Sequence, residues 1–166
     1  SSFDAGQVVK AAEAKGADRD LTGFVEQVEK VSVGVNAIIE RSITEGTRMI
    51  VEGAHIVPGF LSEELWPDAL VIQLILTVQD EDRHRGHFYV RDQETDGVRS
   101  LARYLANIDK IRRVQDYLME KALEEGIPVI DNESIDKTIN TVMGIVLDTV
   151  SEHQDSASAR TRIEVS

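Results

Sequence analysis

The stretch that decides the fold is T-R-M-I-V-E-G-A-H-I-V-P-G-F, from Thr47 to Phe60. Its short apolar run, Met49 to Val51, predicts a buried strand, and the Glu52-Gly53 pair predicts a loop where that strand ends. Ligands of open α/β sheets bind beyond the carboxyl ends of the strands. Glu52 is therefore a candidate for holding a metal through water or for accepting a substrate proton. An acid that only caps a turn has the same pattern.

Length and composition indicate one globular domain. The 166 residues are 42% hydrophobic and 29% charged, which is enough apolar material for a core. The net charge of −12 argues against a nucleic-acid partner, because neutralising a phosphate backbone needs a broad basic face. The sequence has no cysteine for disulfides or thiolate metal sites, and its apolar runs are too short for a signal peptide or a membrane span. A cytoplasmic location without a membrane partner is the expectation.

Apolar periodicity predicts the order helix, helix, strand, strand, helix, strand, helix. The helices are expected at 4–16, 20–45, 98–125 and from 132 or 134 to 151, and the strands at 49–51, 69–77 and 127–131. Strands that alternate with long helices predict an α/β fold with a parallel sheet. This domain is expected to span 1–153, followed by a polar tail at 154–166.

A concentrated basic patch lies in the polar segment 79–97, where Arg83, His84, Arg85, His87 and Arg91 fall within nine residues. Planar guanidinium groups suit phosphate or carboxylate oxygens, so the patch predicts an anion site. Two alternatives stay open. Nearby acids could neutralise a solvated surface segment, or the two histidines could share a helix face and bind a metal, although the arginines beside them repel a cation.

Four parts of the sequence together resemble the archaeal 2-phosphoglycerate kinases. V-E-G-A-H-I-V-P-G-F, from Val51 to Phe60, is similar to the E-G-V-H-L-V-P-G segment of that family, and R-H-R-G-H-F-Y-V-R, from Arg83 to Arg91, resembles its basic lid. The likeness continues in the same order through R-Y-L-A-N-I-D-K-I-R-R-V-Q-D-Y-L, from Arg103 to Leu118, and I-P-V-I-D-N, from Ile127 to Asn132. It covers most of residues 1–150.

Members of that family are P-loop kinases, which phosphorylate the free hydroxyl of 2-phosphoglycerate with Mg-ATP to give 2,3-bisphosphoglycerate. The resemblance therefore implies a partial P-loop kinase-like three-layer fold, Mg and ATP as cofactors, and a small phosphorylated acid as partner. Cations that meet the oxygens of the transferring group suit such chemistry. The resemblance implies Glu52, Arg83 and Arg85 as catalytic groups, and His55, His87, Arg91 and Arg103 as substrate-binding groups.

The sequence contains no G-x-x-x-x-G-K-[ST] motif, whose backbone and Lys cradle nucleotide phosphates. We therefore expect a C-terminal portion of a kinase, whose P-loop strand would lie between two strands of this chain. Alone, it is expected to bind ATP weakly and to fold poorly, because those strands would expose unpaired edges. A missing N-terminal half or a homo-oligomer would supply the partner. Two other hypotheses stay open: a P-loop-less binding or regulatory module for a phosphorylated acid, and a helical interaction domain.

Overall fold

The computed structural model describes residues 2–62, 69–95 and 100–164. These residues form five helices and two strands: α1 (Ser2–Thr44), β1 (Ile75–Thr77), α2 (Glu81–Glu94), α3 (Leu101–Leu105), α4 (Ile108–Glu124), β2 (Val129–Asp131) and α5 (Ile135–Glu164). β1 and β2 run parallel, with Ile75 opposite Val129 and Thr77 opposite Asp131. The predicted class, α/β with a parallel sheet and long helices, is confirmed at this level.

The amino-terminal part is one helix, so the predicted helix end at Gly16 is wrong. A single glycine lowers helix stability by only about 1 kcal/mol, which good helix formers on both sides can outweigh. The predicted end at Gly46 is confirmed. Its φ of 63° is left-handed, its N–H donates to the Ile43 carbonyl, and the N–H of Thr47 donates to the Ser42 carbonyl. These two bonds satisfy carbonyls that the helix end leaves open.

The helix predicted at 98–125 is two helices, α3 and α4, and its expected start at Val98 lies outside the described residues. The break falls at Asn107, which has φ −119° and ψ 12°. Its side-chain amide donates to the Arg103 carbonyl at 2.8 Å, so a local hydrogen bond competes with continued helix. The end of α4 repeats that of α1, with Gly126 at φ 66° and the Ile127 N–H on the Ala122 carbonyl.

The strand predicted at 49–51 is wrong. Residues 47–53 have no strand pairing, and Ile50 is 96% exposed. A strand needs a neighbour for its backbone groups, and the described residues place none beside this segment. The strands at 69–77 and 127–131 form only over three residues each. The nearly continuous apolar run 69–77 predicts a strand covered on both faces, and this is wrong, because Leu76 is half exposed.

Helix α5 begins where Ser134 accepts the Lys137 N–H at 3.3 Å, which confirms the predicted cap. It continues to Glu164 rather than ending near Ser151, so the segment predicted as a frayed tail is helical to that point. The domain boundary at 153 stays a prediction.

The buried apolar residues of the described part of the chain come from α1, the segment that follows it, α2, α4 and β2. They are Val28, Val35, Val57, Phe88, Ile108, Ala122 and Ile130. They join α1 to α4, and α4 to the sheet. None of the helices that the structure describes combines the length and apolarity needed to cross a membrane.

Candidate functional site

The site is built at the carboxyl ends of the two strands. The Asn132 N–H donates to the Thr77 carbonyl at 2.7 Å, which holds the strand ends together. One step further, the Gln79 N–H donates to Oδ1 of Asp131 at 2.9 Å. The carboxylate that ends β2 therefore fixes the chain leaving β1, and α2 begins two residues after Gln79.

The basic segment 79–97 contains a helix, α2, which the predicted order of helices and strands did not include. Asp80 caps it by accepting the Arg83 N–H at 2.7 Å, and Glu81 and Asp82 occupy the first turn, where negative charge is favourable. Helix α2 therefore carries the predicted cations away from the sheet on a regular scaffold. We call it the basic helix.

Arg83 and Arg85 are both paired with acids. Nη1 of Arg83 lies 3.5 Å from Oδ2 of Asp131, and Nη2 of Arg85 lies 2.6 Å from Oε1 of Glu81. The hydrogen bond from Arg85 holds the pKa of the Glu81 carboxyl below its ordinary value, so this acid is ionised at neutral pH. An incoming anion must compete with these carboxylates. Their pairing gives partial support to the alternative of a neutralised segment.

His84 and His87 have different surroundings. The His84 ring is buried and stacks on Phe88, with ring centroids 4.9 Å apart, and Phe88 in turn stacks on Tyr104 at 4.4 Å. Burial first, and then the charge of Arg112, lower the pKa of His84, so it is neutral at pH 7. His87 is exposed. No group of three His, Asp or Glu side chains suited to a metal is found within the described ranges.

Arg91 and Arg103 are exposed, on α2 and α3 respectively. Neither guanidinium has an ion-pair partner among the residues that the structure describes. The two helices are held together by the Phe88–Tyr104 stack and by Asp92, whose Oδ1 accepts the Leu101 N–H at 3.0 Å. These arginines therefore offer cations that are less neutralised than Arg83 and Arg85.

The two candidates from the opening stretch lie in other surroundings. Nε2 of His55 is 3.0 Å from Oε1 of Gln27, and its ring lies 5.1 Å from that of Phe24, so His55 packs on α1. Glu52 is exposed. No contact in the described part of the chain joins either residue to the basic helix. The sequence predicts one shared site for the opening stretch and the basic patch, because each follows a predicted strand and parallel strands end at one edge of the sheet. This shared site stays a prediction.

Two residues of α4 lie at this sheet edge, although no motif or pattern of the sequence singles them out. Gln115 is buried and bonds both backbone groups of Val78, and Arg112 donates to the carbonyls of Val78 and Gln79. The sequence could have identified Asp131 as a site residue, because an acid at the end of a parallel strand lies at the edge of the sheet where ligands bind. Arg112 and Gln115 looked like ordinary residues of a helix surface.

The two helix starts that follow the strands, those of α2 and α5, do not fit a nucleotide phosphate. The start of α2 is capped by Asp80 and followed by two acids, and α5 begins beside Glu133 and Asp136. A phosphate needs open backbone N–H groups and positive charge at such a position. The residues present therefore do not supply the Mg-ATP site that the resemblance implies.

Comparison with curated proteins places the chain in a family. It is 41% identical over 143 residues to the 2-phosphoglycerate kinase of Methanothermobacter thermautotrophicus, covering 86% of this chain and 47% of that protein. The Thermococcus kodakarensis 2-phosphoglycerate kinase is 38% identical, with 92% and 50% covered, and that of Methanococcus vannielii is 37% identical, with 98% and 52% covered. No protein-family model and no solved structure matches the chain.

The chain belongs to the 2-phosphoglycerate kinase family, as its motifs indicated. It spans about half the length of the curated relatives it matches.

Proposed function

We propose that this chain is the acceptor-binding part of a small-molecule kinase that transfers phosphate from ATP to 2-phosphoglycerate, giving 2,3-bisphosphoglycerate. The observation that carries the proposal is the identity of about two residues in five with curated 2-phosphoglycerate kinases along most of the chain. The proposal includes a P-loop kinase-like three-layer fold for the whole enzyme.

The basic helix supports this assignment. In a chain with a net charge of −12, it places Arg83 and Arg85 near the carboxyl edge of the sheet and His87 and Arg91 further along. A phosphorylated acid carries two anionic groups, and guanidinium forks bind such oxygens with directional, charge-assisted hydrogen bonds. We assign these residues to holding and orienting the acid substrate, with Arg103 of α3 beside them.

The nucleotide site is assigned elsewhere. The 166 residues contain no phosphate-cradling motif, and acids occupy the starts of α2 and α5, the two helices that follow the strands. ATP supplies the phosphoryl group when bound, and no step of its transfer is assigned to these residues. Glu52 keeps a proposed role beside the transferred phosphoryl group and His55 a role near the acceptor, because both lie in a segment that resembles the family.

A second function is favoured by the pairing of Arg83 and Arg85 with acids. A relative without a phosphate cradle would bind the phosphorylated acid and transfer nothing, as a regulatory or binding module. The paired state of Arg83 and Arg85 fits modest, competitive anion binding of that kind.

A kinase assay separates the two functions. The natural gene product is weighed by intact-mass spectrometry and incubated with Mg-ATP and 2-phosphoglycerate, and phosphorus NMR follows the products. The kinase proposal predicts a mass well above 18.4 kDa and formation of a bisphosphorylated acid. Binding of 2-phosphoglycerate without turnover identifies the module instead, and absence of both overturns the two proposals.

A further inference from the structure

Two side chains of α4 hold the backbone that leaves β1. Gln115 accepts the Val78 N–H through Oε1 at 2.9 Å and donates to the Val78 carbonyl through Nε2 at 3.2 Å. Arg112 donates to the same carbonyl at 3.3 Å and to the Gln79 carbonyl at 2.8 Å. We call these two residues the α4 clamp. Together they satisfy three backbone groups just beyond the strand.

The clamp replaces a neighbouring strand at this point. The parallel pairing of β1 with β2 ends at Thr77, so Val78 has no strand partner there. Gln115 presents one acceptor and one donor in the same plane, as an adjacent peptide group does. Gln115 is only 9% exposed, so removing its amide would leave the Val78 N–H without its partner, while the Val78 carbonyl would keep the bond from Arg112.

The clamp also controls where the basic helix begins. Gln79 is fixed from two sides, by Arg112 at its carbonyl and by Asp131 at its N–H, and α2 starts two residues later. Nε of Arg112 lies 4.0 Å from Oε2 of Glu81, in the first turn of that helix. The start of α2 is therefore attached to β2 on one side and to α4 on the other.

A small tilt of α2 at its first turn displaces the far end of the helix by a larger distance. Arg91 lies ten residues beyond Glu81, which corresponds to about 15 Å of helix. A tilt of about 10° at the base would move the far end by about 2.6 Å, as much as a full hydrogen-bond length. Tyr89 and Val90 are about half exposed, and the outer half of α2 is held to the short helix α3 through Phe88 and Asp92. We therefore expect α3 to move with α2, so that the base sets the direction of both.

We propose that Gln115 and Arg112 are positioning residues that set the direction of the basic helix and thereby its affinity for the phosphorylated acid. This inference rests on the proposed function of α2. Neither residue is assigned contact with the substrate. They act through the backbone of Val78 and Gln79, so the charge of Arg112 is less important than its ability to donate two hydrogen bonds in a fixed plane.

The test uses Gln115→Met, which keeps the side-chain length and removes both hydrogen bonds, and Arg112→Lys, which keeps the charge and removes the fork. Arg113→Lys is the matched control, because Arg113 follows on the same helix and pairs with Asp20 of α1 at 3.5 Å instead. In the natural gene product, we expect each clamp variant to weaken 2-phosphoglycerate binding at least tenfold by calorimetry. A misplacement of about 1 Å can have effects of that size. The control should stay within twofold.

Hydrogen exchange distinguishes a positioning role from a general loss of stability, because only a positioning role predicts a local change in exchange rates. Exchange of the Val78 N–H and of the first turn of α2 should accelerate in the clamp variants, while α1 and α5 stay unchanged. Folded variants that bind 2-phosphoglycerate as the parent does would overturn the inference, even if they melt earlier. If Gln115→Met fails to fold, Arg112→Lys decides alone.

Different results would refute the proposed function of the basic helix and the positioning role of the α4 clamp. If Arg83→Ala with Arg85→Ala leaves binding intact, the proposed function of the basic helix is wrong. If that double variant loses binding while both clamp variants keep it, the helix assignment stands and the positioning role is wrong. A parent protein that does not bind 2-phosphoglycerate contradicts both.

Discussion

Asp131 provides a sharp test of how the sheet edge is held together. Its carboxylate accepts the Gln79 N–H at 2.9 Å and pairs with Arg83 at 3.5 Å. A hydrogen bond from a backbone N–H to a charged group contributes roughly 1.5–3 kcal/mol. The ion pair is partly exposed, with about a quarter of the Asp131 side chain and a third of the Arg83 side chain accessible, so it contributes about 0–1 kcal/mol.

Asp131→Ala removes both interactions and should lower the free energy of unfolding by about 2–3 kcal/mol. Asp131→Asn keeps an oxygen for the Gln79 N–H and loses only the charge, so we expect a change of about 1 kcal/mol or less. Urea unfolding measures both values, and the slope m should stay constant if the change is one of stability alone.

Glu133→Gln is the matched control for Asp131. Glu133 lies two residues away and pairs with Lys137 at 2.6 Å, in an exposed pair four residues apart on the chain. Such pairs contribute about 0.3–0.5 kcal/mol. If Asp131→Ala destabilises the protein no more than this control does, Asp131 does not anchor the chain that enters α2, and the reasoning about the sheet edge is refuted.

Two further predictions concern stability. Burial lowers the pKa of His84 below 6.5, so the unfolded state takes up a proton before the folded state does, and stability should fall as pH drops from about 7 to about 5. His84→Phe keeps a ring against Phe88 and should reduce the pH dependence of the free energy of unfolding, measured with urea. The exposed control His153→Gln should leave it unchanged. The same pH dependence in all three proteins would contradict the burial of His84. In the 166-residue chain, Ile50→Ser should change the free energy of unfolding by less than about 0.5 kcal/mol, while fully buried Val57→Ala should lower it by about 1–2 kcal/mol. A large effect at position 50 would mean that this segment is covered.

The helix boundaries that the sequence predicted correctly are those with local signals. Gly46 and Gly126 end helices by adopting a left-handed backbone, and Ser134 caps α5, all within a few residues of the positions concerned. The cap of α2 was equally local, since Asp80 precedes Glu81 and Asp82, but its polar composition hid the helix. Gly16 misled because one glycine is a weak helix breaker.

The strands and the site were harder to predict from the sequence, because they depend on residues that are far apart along the chain. Met49 to Val51 has the composition of a strand, and composition does not supply the neighbour that a strand must pair with. Arg83 was identified from its charge, yet its pairing with Asp131 joins positions 48 residues apart. Gln115 carries no motif at all, and only the fold brings it to Val78.

Calorimetric titration of 2-phosphoglycerate shows whether the basic helix binds a phosphorylated acid. The natural gene product is compared with its Arg83→Ala, Arg85→Ala double variant. Arg41→Ala, which removes an exposed arginine paired with Glu45 at 2.7 Å, is the control. Loss of two charged hydrogen bonds, each worth roughly 1.5–3 kcal/mol, predicts at least about 100-fold weaker binding in the double variant and no change in the control. Equal affinity in all three proteins would contradict the account.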